Sequence, residues 1–235
     1  MKTRSHSASA FTLIEMLVVI SIIAVLAAFA VPALTSALTK GQMTGTMNNG
    51  RQMYLAAQQM ALDGAANSDP NLVWPGDDPA NLGTLDAYMT RLVQQNYLKP
   101  GDVQKLLSGP GASAAVATAG APPNQTVTIT GTASLKIYPV SDADASNAIF
   151  CTSRNYSYDT ALIPTNPGPP PTPNNPFGDK GFVVQRKGGD ASILRPNNAT
   201  DNGNIPQFEA QVGKKPGEAQ GTVTGGDPAG TLKQP

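Results

Sequence analysis

Histidine and cysteine are almost missing from this 235-residue chain, which holds one of each, His6 and Cys151. A single cysteine excludes an intrachain disulfide, so a fold outside the cytoplasm would have to hold without that cross-link. Zinc sites of the H-E-x-x-H type need two histidines and are excluded as well. Charge is sparse, 14% of residues, and balanced at 16 basic against 16 acidic. Phosphate neutralisation needs clustered Lys and Arg. The pairs Arg186-Lys187 and Lys214-Lys215 read instead as solvated turns, so no nucleic-acid partner is expected. Chain breakers are plentiful, with 23 Gly and 21 Pro, which points to a loop-rich exterior.

Against this background one run stands out. From Met16 to Thr39 there is no charged residue. Those 24 residues would cover about 36 Å as a helix, enough to cross a bilayer core. Lys2 and Arg4 precede the run and hold the amino terminus in the cytoplasm by the positive-inside rule. At the mouth of the run stands one carboxylate, in Phe11-Thr12-Leu13-Ile14-Glu15. Such a group is unfavourable in lipid unless something pairs with it. An ordinary secretory signal is the competing reading, because Ala28-Phe29-Ala30 is an A-x-A sequence behind an apolar run. Pro32 just beyond that cut, Glu15 at the entrance and helix-like sequence past Pro32 count against it.

The stretch from Ala10 through Phe11-Thr12-Leu13-Ile14-Glu15-Met16-Leu17-Val18-Val19-Ile20 resembles the class III signal of type IV pilins and type II secretion pseudopilins. The resemblance implies cleavage between Ala10 and Phe11 by a prepilin peptidase, and N-methylation of Phe11. Ala10 departs from the family's usual glycine before the cut. Glu15 becomes the acidic fifth mature residue, and Pro32 falls where such helices kink or melt locally. The resemblance also implies that Glu15 of one subunit pairs with the new ammonium of Phe11 on a neighbour, two charges expensive alone in lipid and tolerable together. Loss of the leader removes Lys2, Arg4 and His6. The side-chain balance then becomes 14 − 16 = −2, and no histidine is left for Ser-His-Asp or Cys-His chemistry.

Beyond Pro32 a three/four-spaced stripe (Ala33, Leu34, Ala37, Leu38, Met43, Met47, Tyr54, Ala57) predicts that the helix continues to about residue 62, with Asp63-Gly64 as its stop. Gly41, Gly45 and Gly50 weaken it by about 1 kcal/mol each relative to alanine. A second helix is marked from Thr84, its N-cap, by Leu85, Tyr88, Met89, Leu92 and Val93. A short helix spans 102–107. Residues 112–124 read as a small-residue linker. Strands are predicted at 126–130, 135–138 and 148–152, and 181–194 reads as a hairpin. Buried within Ala148-Ile149-Phe150-Cys151, the cysteine reads as a small core residue. This order fits a pilin-like α+β fold, with an antiparallel sheet of three or four strands covering the helix stripe. Its expected division is a leader over 1–10, a long helix over 11–62 with its membrane half at about 11–35, a head over 63–212, and a disordered Gly/Pro-rich tail over 213–235. Asp201, Asn202 and Asn204, and the Asp142-Ala143-Asp144 turn, offer oxygen ligands suited to Ca²⁺, although such loops usually serve turn geometry.

The expected function is structural rather than enzymatic: a pseudopilin of a type II secretion filament, with a type IV pilin for adhesion, motility or DNA uptake as the alternative. Its expected partners are other pilins or pseudopilins, the prepilin peptidase, an inner-membrane assembly platform and lipid. The expected location is the bacterial inner membrane, crossed once, with the head in the periplasm. Mass spectrometry of the mature chain checks this reading. A first residue of N-methylated Phe11 is expected, and a start at Val31 would establish the ordinary signal peptide instead.

Overall fold

Helix α1, Leu13–Asn67, runs for 55 residues without interruption. It passes through Pro32, whose missing N–H removes one i→i−4 bond, while the Pro32 carbonyl takes the Thr35 hydroxyl at 2.9 Å. The computed structural model describes residues 12–156, 177, 180–195, 205–218 and 231–233. The chain divides into two units, Met1–Gly41 and Gln42–Pro235, and α1 belongs to both. Ala10, Phe11 and the candidate calcium ligands Asp201, Asn202 and Asn204 lie outside the described residues.

In the second unit α1 acquires one buried face, formed by Met43, Thr46, Gly50, Met53, Tyr54, Ala57, Met60 and Gly64. The predicted stripe is therefore right at Met43, Tyr54 and Ala57. Its upper members Leu34 and Leu38 are exposed. Gly50 is where α1 crosses the sheet, since a Cβ there would lie 3.1 Å from the Cys151 sulfur. Gly41 and Gly45 have open space around them.

The expected stop at Asp63-Gly64 is wrong by a turn. A Cβ on Gly64 would sit 1.8 Å from the Leu72 carbonyl oxygen, so this glycine admits the following loop rather than ending the helix. The Asp63 carboxylate takes the Tyr97 hydroxyl at 2.7 Å. Termination comes at Ser68, in the left-handed region (φ 53°), with the Asp69 N–H donating back to the Gly64 carbonyl at 3.0 Å.

Three short helices follow: α2 (Pro79–Leu82), α3 (Leu85–Gln94) and α4 (Pro100–Leu107). Thr84 caps α3 as expected, its hydroxyl accepting the Ala87 N–H at 3.2 Å. The segment read as a linker contains a strand, β1 (Ala115–Ala119), paired antiparallel with β2 (Thr126–Thr130). Side chains of neighbouring helices stand in for further strands here. Thr90 bonds the Val127 N–H at 2.9 Å, Asp86 bonds the Ile129 N–H at 3.1 Å, and Gln104 bonds the Val116 N–H at 2.7 Å.

The main sheet is an antiparallel meander of β3 (Leu135–Ile137), β4 (Ile149–Ser153), β5 (Phe182–Arg186) and β6 (Ala191–Leu194), hydrogen-bonded in that order. β4 carries a register shift between Ile149 and Cys151 and buries every residue. On the α1 side, Tyr54, Trp74 and Phe150 meet with ring centroids 5.8–6.2 Å apart. On the other side Tyr138, Ile149, Phe182 and Val184 pack with Phe208 and Val212, carried by helix α5 (Ile205–Gln211) and the residue that follows it. Helices therefore lie on both faces of the sheet, and α5 had no counterpart among the expected elements.

The tail read as disordered from Gly213 is held at two points among its described residues. The Lys214 carbonyl accepts the Ile149 N–H at 2.8 Å. Leu232 is buried and donates its N–H to the Ile137 carbonyl at 2.8 Å, while Lys233 bridges Thr84. Leu232→Ala is expected to cost about 2–5 kcal/mol, read as a lower melting midpoint of the full chain in detergent. An unchanged midpoint would detach the tail from the fold. Cys151 is fully buried, and burial pushes its thiol up to about 12. At pH 8 a maleimide is expected to leave it unlabelled until denaturant is added, and prompt labelling of the folded chain would contradict its core position.

Candidate assembly interface

The sequence places a carboxylate at the start of α1, and local structure gives it a first task. Thr12 is the N-cap and Glu15 the third helical residue, a T-x-x-E capping box. The Glu15 N–H donates to the Thr12 hydroxyl oxygen at 3.3 Å. In return one carboxylate oxygen, Oε2, accepts the Thr12 N–H at 2.8 Å and the Thr12 hydroxyl at 2.6 Å. Both contacts of this carboxylate fall on the same oxygen, so Oε1 has no partner among the described residues. Negative charge at a helix amino terminus is also favoured by the peptide dipoles. Thr12 was not among the sequence-stated site residues, although the T-x-x-E spacing signals it.

From Leu13 to Leu38 the helix is exposed on every side. Leu13 is 83% exposed, Phe29 77% and Leu34 70%. An apolar surface this extensive is not left facing water. It needs lipid or other apolar helices. Its polar side chains are already satisfied locally: the Ser21 hydroxyl donates to the Val18 carbonyl at 2.7 Å and Thr39 to the Thr35 carbonyl at 2.9 Å. Backbone satisfied within the segment and hydroxyls turned onto carbonyls are what a low-dielectric surrounding requires. Length and hydropathy both suffice for a membrane span.

Glu15 and Pro32 thus lie on one exposed helix, 17 residues or about 26 Å apart, and the fold does not bring them together. In the second unit α1 keeps an outward face carrying Arg51, Leu55 and Leu62, all exposed.

Among the described residues no group of three or more His, Cys, Asp or Glu is arranged to hold a metal ion, and Asp201, Asn202 and Asn204 lie outside them. In the Asp142–Asp144 turn, the Asp144 carboxylate is engaged by the Ser141 N–H and hydroxyl at 2.7 and 2.9 Å. The Lys187 ammonium already sits on the Asp142 and Asp144 carbonyls at 2.5 and 2.8 Å. A cation is present, and it is a side chain.

One comparison with known families falls on the same end of the chain. The family model described as the prokaryotic N-terminal methylation motif matches residues 5–31. Two relatives, both type IV major fimbrial protein FimA from Dichelobacter nodosus, are 34% identical over 68 residues and 36% identical over 64. These matches cover 29% and 27% of this chain. The chain spans less than half of the relatives' own length, 44% and 41%. No solved structure matches. The chain carries a prokaryotic N-terminal methylation motif, is similar over part of its length to type IV fimbrial proteins, and has the long apolar helix leading into small antiparallel sheets of a pilin-like α+β fold.

Proposed function

We propose that this protein is a building subunit of a type IV pilus fibre, cut between Ala10 and Phe11, methylated at Phe11 and anchored in the inner membrane until assembly. The observation that carries the reading is the uncovered apolar helix behind a methylation motif: it is stable in lipid as a monomer and in a bundle of like helices as a fibre. The fimbrial names of the relatives favour a pilus over a secretion filament. The secretion pseudopilin remains the second reading, supported by the lack of any disulfide in a head whose one cysteine is buried.

Glu15 has two roles in this proposal. Oε2 caps its own helix through Thr12, and Oε1 receives the Phe11 ammonium of a neighbour. The pair lets both charges enter the apolar core of the fibre, and its geometry sets the stagger between subunits. Pro32 supplies the point at which α1 gives way as the subunit leaves the bilayer, because the bond missing there is already lost. The cytoplasmic amino terminus and periplasmic head belong to the same proposal, on the strength of Lys2 and Arg4.

Two measurements test it. Glu15→Val is expected to remain in the membrane fraction while its incorporation into fibres falls at least about tenfold, since breaking a buried ion pair costs about 3–5 kcal/mol. Normal incorporation would remove the pairing role. Deletion of the gene is expected to abolish sheared surface fibres and leave exoprotein secretion intact, whereas the reverse pattern would establish the secretion reading.

A further inference from the structure

At the carboxyl-terminal end of α1 an apolar cavity of about 290 Å³ opens between the helix and the loop that follows it. Ala61 and Ala65 form one wall, Val73 and Trp74 the other. Three carboxylates, Asp69, Asp77 and Asp142, also line it, with no lysine or arginine among the lining residues, the Lys187 ammonium standing outside them on the Asp142 carbonyl. Asp69 and Asp77 accept neighbouring backbone N–H groups from Asn71 and Asp142. The Asp142 carboxylate has no partner among the described residues. The negative end of the helix dipole points the same way, and the last turn of α1 carries no basic residue. Apolar walls beside a tryptophan suit a cation on a hydrocarbon stem better than a hydrated metal ion.

The same helix carries the complementary surface. Arg51 is exposed, makes no hydrogen bond or ion pair among the described residues, and is the one charged residue on α1 between Lys40 and Asp63. Leu55, one turn on, and Leu62 are exposed beside it, 55% and 58%. Basic-plus-apolar on one surface and acidic-plus-apolar on another is charge complementarity between two different patches of one chain.

We propose that the cavity receives the Arg51 side chain of a second copy. The proposal rests on the fibre reading above and adds a specific contact to it. Two different patches meeting head-to-tail form a heterologous contact, which propagates into an open filament rather than closing a dimer. With the two helices parallel, seating Arg51 beside Ala65 requires an axial offset of 14 residues, roughly 20 Å. That exceeds the four-residue, roughly 6 Å offset of a Phe11–Glu15 pair. The contact therefore joins a subunit to a more distant neighbour along the fibre than the charge pair does.

The test is disulfide cross-linking of fibres made by the full chain carrying Gln52→Cys and Ala65→Cys, which leaves Arg51 in place and Cys151 buried. A ladder of covalent multimers is expected on mild oxidation. Adding Arg51→Glu is expected to reduce it at least tenfold, and further adding Asp69→Lys and Asp142→Lys to restore it. Fibres that form without a ladder, or a ladder indifferent to Arg51→Glu, overturn the contact and leave the fibre reading standing. Absence of fibres from the wild-type chain overturns both.

Discussion

A single carboxylate at the head of a charge-free helix is the constraint on which the other features depend. Alone in a low-dielectric surrounding it is costly. Its own helix removes part of that cost, because Thr12 and Glu15 satisfy each other across the first turn. The rest requires a cation, and the helix carries none before Lys40. In the proposed fibre, a methylated ammonium at Phe11 of another copy supplies that charge. On that proposal, the chemistry that makes the monomer tolerable in lipid is also the chemistry that makes the fibre.

The remainder of α1 is shaped by a change of surroundings along its length. Up to Leu38 it is apolar and exposed on every side. From Met43 it has a buried face and an outward one, and side-chain size follows. Gly50 and Gly64 are small because the Cys151 side chain of the sheet and the Leu72 backbone of the loop come close there. Gly41 and Gly45 face open space in the monomer, so their cost in helix propensity has no return within one chain. Surfaces of this kind acquire meaning only when a second helix lies against them.

How much of this was legible in the sequence depends on the range of the forces involved. The apolar run, the Thr84 cap and the short β-prone runs are local signals, and they placed α3, β2, β3, β4 and the β5–β6 hairpin correctly. Three of the misses in the fold are non-local. Gly64 looks like a stop signal until Leu72 is seen pressed against it. Ala115–Ala119 looks like a linker because its residues are small and nearly all exposed, and its partner β2 and the Gln104 side chain on its other edge are invisible in the local pattern. Leu232 sits in a sequence with no periodicity, and its burial depends on the Ile137 carbonyl far away in the chain. At the candidate site, Glu15 was legible as a charge out of place. Its capping of α1 needed only the rule that a threonine three residues before a glutamate starts a helix.

The most direct test of the account is the position of the Glu15 carboxylate in the assembled fibre, read from a cryo-EM map that resolves side chains. The prediction is that Oε2 remains on Thr12 of its own chain while Oε1 lies within about 3–4 Å of the Phe11 nitrogen of a neighbour, a separation typical of an ion pair. A Glu15 carboxylate bound only to its own Thr12, with no neighbour's amino terminus within reach, would contradict it.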